Sequence, residues 1–100
     1  MKFKVYHAIN PTFGFGDRPK YPSDYKQVAI VEAEDIEEVF RITNHIDDNW
    51  ENNPEVLEVI GNGHRSTSVG DIVVDENGVV NRCEIVGWVK VPPSIVEVYS

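Results

Sequence analysis

The stretch QVAIVEAEDIEEVFRITNHIDDNWE, residues 27–51, decides the fold class. It opens on Val28-Ala29-Ile30-Val31, apolar on both faces of an extended chain, which predicts a strand over 27–33 lying inside a sheet. The period then changes. Ile36, Val39, Phe40, Thr43, Ile46 and Trp50 recur at helical spacing, with Glu37, Glu38, Arg41, Asn44, His45 and Asp48 opposite them. This predicts one amphipathic helix over 35–51. Asp35 followed three residues later by Glu38 is a capping-box pattern, and the early acids suit the positive end of the helix dipole. Asn52-Asn53-Pro54 ends the run.

Upstream, residues 2–9 alternate: Phe3, Val5, His7 and Ile9 share one face and Lys2, Lys4, Tyr6 and Ala8 the other, the pattern of a half-buried strand. Downstream, β-branched residues over 55–60 read as a short strand, broken by Gly61-Asn62-Gly63. Residues 69–75 and 79–91 read as a hairpin joined by a two-residue Asn77-Gly78 turn, with Gly87 marking a bend in the long second arm. Pro92-Pro93 interrupts, and Ile95 to Tyr99 reads as a last edge strand that could pair between chains as readily as within one, which leaves a homo-oligomer open. The fold class that follows is α+β. Residues 1–100 form a single domain, with one mixed or antiparallel sheet of about five or six strands and a single amphipathic helix packed on it.

One hundred residues, 41% hydrophobic and 26% charged, suit one ordinary globular domain. No apolar run exceeds four residues, far short of the ~20 needed to span a bilayer. Met1-Lys2-Phe3-Lys4 lacks the apolar run of a signal peptide, so the expected location is cytoplasmic. Cys83 is the only cysteine; it suits a reducing compartment and reads as a small buried hydrophobe.

Charge is segregated. Residues 32–58 hold ten acids against one base, Arg41, while residues 1–31 carry an excess of three positive charges. An acidic face of this kind disfavours duplex nucleic acid and anionic membrane as partners. Metal and cofactor signatures are missing: His7, His45 and His64 sit far apart in different elements, and Gly14-Phe15-Gly16 lacks the third glycine and helix start of a phosphate loop.

Two loops carry the candidate chemistry. The segment 61–71 packs His64, Arg65, Ser66, Thr67 and Ser68 between glycines, a composition that can hold an anion on backbone N–H groups with Arg65 pairing its charge. The bland alternative has the hydroxyls capping turns and Arg65 reaching an acid on the helix. On the ligand reading, Arg65→Ala removes binding and leaves stability intact. The segment 11–26 interleaves Phe13, Phe15, Tyr21 and Tyr25 with Arg18, Lys20 and Lys26, as core cover, a protein interface or a base-stacking surface would.

The run Arg65-Ser66-Thr67-Ser68-Val69-Gly70-Asp71-Ile72-Val73-Val74, followed by Gly87-Trp88, resembles the YodL-like group of small bacterial, phage and mobile-element proteins. Thr43-Asn44-His45-Ile46-Asp47 and Trp50 are similar to small phage proteins of this type. The resemblance implies no enzymatic activity, and it implies a phage or mobile-element origin with a role on host machinery. The leading expectation is a non-enzymatic module without cofactor or metal, engaging an unidentified host protein through Glu37, Glu38 and Asp48 or through Phe13, Phe15 and Tyr21. The alternative is a small-ligand or nucleotide binder built from the 61–71 loop with the aromatic 11–26 loop as its lid.

Overall fold

In the computed structural model, residues 1–10, 21, 23–44, 49–61, 63–84 and 87–91 are described. Strand β1 (Lys2–Ala8) sits at the middle of the sheet, because both of its edges are paired. On one side it pairs with β2 (Tyr25–Glu32), which pairs onward with β3 (Val56–Val59). On the other it pairs with β4 (Ile72–Val74), followed by β5 (Val80–Glu84) and β6 (Gly87–Lys90). The order is β3-β2-β1-β4-β5-β6 and every neighbour is antiparallel, so among the described residues the α+β expectation resolves to one six-stranded antiparallel sheet with a single α-helix.

That helix, α1 (Ile36–Thr43), covers one face. Val39 and Ile42 join Phe3, Val5, Val28, Val31, Val73 and Trp50 in the main core. Ile42, which the six-residue stripe leaves out, has no exposure, whereas Phe40 lies at the margin edge-to-face with Trp88. The Asp35 cap forms as expected: Glu38 N–H donates to Asp35 Oδ1 at 2.9 Å, while Glu38 Oε1 reaches back to the N–H of Glu34 at 3.4 Å.

The helix ends earlier than its periodicity implies. Asn44 leaves the helical region at φ −110° and ψ 75°, and Trp50–Asn52 form a separate 3-10 turn. His45, Ile46 and Asp48 lie outside the described residues.

The opposite face of the sheet is covered too. Ala8, Tyr25 and Ile72 are buried there with Tyr6, Tyr21, Val74 and Val80 packed around them. Strand β1 is therefore buried on both faces over its second half, not on one. Tyr21 stands edge-on to Tyr6 and Tyr25, with centroids 5.4 and 5.8 Å apart, so Tyr21 and Tyr25, the latter in β2 rather than in the expected loop, complete a core; Phe13 and Phe15 lie outside the described residues.

Two further readings change. The β4–β5 connection is a three-residue loop, Glu76-Asn77-Gly78, because Asp75 N–H pairs with Val79 O and Asp75 Oδ1 accepts the N–H groups of Asn77 and Val79. Gly78 takes φ +81°, the left-handed residue that follows a type I turn in such loops. The long arm predicted over 79–91 folds back on itself, placing Glu84 opposite Gly87, so it supplies both β5 and β6. The edge strand expected at Ile95–Tyr99 lies outside the described residues. Among the described residues no helix is long and apolar enough to cross a membrane.

Candidate functional site

The segment from Arg65 to Asp71 folds into a clasp. Asp71 N–H donates to Ser68 O at 3.0 Å, closing a β-turn over Ser68-Val69-Gly70-Asp71. Gly70 adopts φ +95°, as the third position of a type II turn requires. The turn brings the Asp71 carboxylate, which has no solvent exposure, back toward Arg65. The guanidinium meets it in a two-pronged pair, Nη1 to Oδ2 at 2.6 Å and Nη2 to Oδ1 at 2.8 Å. Ser68 N–H and Ala8 N–H donate to the same carboxylate, at 2.8 and 2.9 Å. A buried carboxylate with four donors is compensated, which is the condition for burying it at all.

Arg65 is bound more widely than to its acid. Nη1 also donates to Ser66 O and Ser68 Oγ, and Nη2 to Ala8 O at 3.3 Å. The expected acid partner on the helix is thus replaced by Asp71, the last residue of the same loop. The reason is geometric: a six-residue separation closed by a β-turn puts the two side chains together. With Asp71 fully buried and Arg65 its paired cation, Arg65→Ala should destabilise the fold, contrary to the expectation that it leaves stability intact.

The helix end and the 3-10 turn hold the loop along its length. Thr67 N–H donates to Thr43 O, and Asn44 Nδ2 donates to Thr67 O. Trp50 Nε1 donates to Arg65 O at 3.0 Å, and the Glu51 carboxylate accepts the N–H groups of Gly63 and His64. Beyond the clasp, Tyr25 Oη donates to Gly70 O; burial pushes that phenol up to about 12.

Two histidines far apart in sequence meet here. His7 and His64 stand edge-to-face with centroids 6.3 Å apart, and Trp50 stacks on His64. His7 Nε2 shares a 2.9 Å hydrogen bond with Thr67 Oγ1 and lies 4.0 Å from Asp71 Oδ2. Desolvation by burial lowers the His7 pKa from 6.5 to about 4, against the opposing pull of Asp71, so the ring is neutral near pH 7. His64 Nε2 lies 2.6 Å from Ile60 O; a carbonyl only accepts, so this nitrogen carries the proton.

These contacts bear on catalysis. In a hydroxyl–imidazole–carboxylate triad the carboxylate orients the nitrogen remote from the nucleophile. Asp71 instead approaches the nitrogen already facing Thr67, and Thr67 is fully buried. His64 gives its Nε2 proton to a main-chain carbonyl rather than engaging a serine through it. Burial pushes the Cys83 thiol up to about 11, away from nucleophilic use. Among the described residues no group of three or more His, Cys, Asp or Glu is placed to hold a metal ion.

The clasp does frame an open cleft. It has a volume of about 280 Å³ and lies between the end of β1 (His7 to Ile9), Lys26 of β2, and Gly63 to Arg65. Ile9, expected on the buried face, instead lies one residue past β1, 53% exposed at the cleft wall.

Of the five candidate ligand residues, His64 and Arg65 line the cleft; Ser66, Thr67 and Ser68 build the loop behind them. His7 and Ile9 were not singled out from sequence as site residues, and Lys26 was named only as a base of the 11–26 loop. Only the pairing of β1 with β2, which sets His7 opposite Lys26, brings them to the loop. Of the candidate partner residues, Glu37 is exposed, and Glu38 serves the helix cap and lies 3.8 Å from Arg41. No protein-family model, curated protein or solved structure matches the chain.

Proposed function

We propose that this protein is a non-enzymatic binding module whose ligand site is the cleft between the end of β1 and the 61–71 loop. The observation that carries the reading is the construction of the cleft. An Arg65–Asp71 pair, the Glu51 carboxylate and the Trp50 indole all hold the loop from behind, so its front surface is fixed before any ligand arrives. At about 280 Å³ the cleft lies just below the ~300–1,000 Å³ range for ligand pockets, which favours a small molecule over a nucleotide.

The non-enzymatic part rests on the engagement of the reactive side chains. His7 is neutral and buried, Thr67 is buried, and the Cys83 thiol is held protonated. Docking of a host protein on the acidic helix face, with the phage or mobile-element origin suggested by residues 65–74, is the second reading; the exposed Glu37 favours it.

The test is a thermal-melt panel of metabolites, nucleotides, metal salts and short oligonucleotides on the natural chain and on Ile9→Trp. The indole would fill the cleft mouth from an exposed position. The expected result is a saturable upward shift with a small molecule that the tryptophan variant loses. A shift of equal size in both proteins would place binding elsewhere, and a flat panel would turn attention to the helix face.

A further inference from the structure

The chain carries 17 acids against 9 bases, yet none of the seven described residues lining the cleft is acidic. Two of the nine bases, Lys26 and Arg65, do line it. Two described acids stand behind the wall. Asp71 faces away with its oxygens taken by Arg65 and two backbone N–H groups, and Glu51 holds the loop through Gly63 and His64. The Arg65–Asp71 pair is neutral as a unit, so Lys26 sets the sign of the lining, while the Arg65 side chain, 31% exposed, adds a polar wall. Facing them, Ile9 and Ala8 form an apolar wall.

From this separation of charge we infer that the cleft takes a small organic anion. Its carboxylate or phosphate group sits at Lys26, and its short apolar body lies against Ile9. A volume near 280 Å³, with a water occupying ~30 Å³ in the liquid, admits a ligand of about ten non-hydrogen atoms. The inference rests on the ligand-site reading above and narrows it to one charge class. At the cleft Lys26 partly offsets the field of the acidic 32–58 segment.

Calorimetric titration with matched probes tests it: benzoate and phenyl phosphate as the two anion types, benzamide as the neutral shape match, and benzylamine as the cation. At least one anion should bind saturably, with benzamide and benzylamine at least tenfold weaker. Lys26→Gln, a change at an exposed strand position, should weaken the anion at least about tenfold, as loss of a charge-assisted hydrogen bond does, while Lys26→Arg retains it. A carboxylate preference and a phosphate preference are separated by the two anion arms, and either supports the assignment.

Benzamide or benzylamine binding as tightly as the better-bound anion, or anion affinity indifferent to Lys26→Gln, overturns it. If such binding is still abolished by Ile9→Trp, the ligand site stands and only the anion assignment falls. If none of the four probes binds, the anion assignment falls as well. The metabolite panel on the natural chain and Ile9→Trp then decides the ligand site separately.

Discussion

Asp71 has no solvent exposure and receives both prongs of Arg65 together with the N–H groups of Ser68 and Ala8. Removing one member of such a pair leaves an uncompensated buried charge or an emptied set of donors. Arg65→Ala is therefore expected to cost ~3–5 kcal/mol, enough to threaten the fold. Asp71→Ala should cost a comparable amount, and the double variant less than the sum, with a coupling of ~1–3 kcal/mol measurable in urea. Strictly additive losses would show that the two side chains do not act as a unit.

His7 makes a second prediction at the same scale. Burial lowers its pKa from 6.5 to about 4, so the unfolded chain takes up the proton first as pH falls. The stability due to neutral His7 is complete above about pH 6.5 and is lost between there and about pH 4, by up to ~3 kcal/mol. Urea midpoints across that window should fall for the natural chain and fall less for His7→Gln, which cannot titrate. Parallel curves would remove His7 as the cause.

At the scale of elements, the helix start is a local affair. Asp35 caps Glu38 N–H within one turn, so Asp35→Ala should cost ~1 kcal/mol and lower the melting temperature by roughly 4–8 °C, read by circular dichroism. A shift near zero would mean that tertiary packing alone fixes the helix start.

That locality explains why β1, β2, β3 and the helix start were legible in the sequence. Each rests on periodicity or on partners a few residues away. The helix end was not, because Asn44 Nδ2 bonds to Thr67 O, 23 residues on. The β5–β6 reversal was hidden for another reason. Residues 79–91 supply strand-forming residues either way, and Gly87, the one local signal, marks a bend without dictating a full reversal. At Asp75, one carboxylate accepting two N–H groups selects a three-residue loop over the two-residue turn that Asn77-Gly78 suggests.

For the whole molecule, the pairing order brings separate stretches of chain to one end of the sheet. Half of the site was legible because it is contiguous: His64 and Arg65 stand together between glycines. The other half, His7, Ile9 and Lys26, depends on β1 lying beside β2, and its backing depends on Trp50 and Glu51 reaching across to the loop. None of that is encoded at short range. The acidic middle segment, plain in the sequence, supplies the helix and its cap, while the cleft is built without an acidic lining residue.

That ligand binding belongs to this cleft can be read from an amide chemical-shift map of the natural chain, titrated with the compound giving the largest thermal shift. Saturable changes should centre on Ile9, Lys26, Gly63 and His64, with the exposed helix positions Glu37 and Arg41 unmoved. Changes centred on Glu37 and Arg41, with those four amides silent, would contradict it.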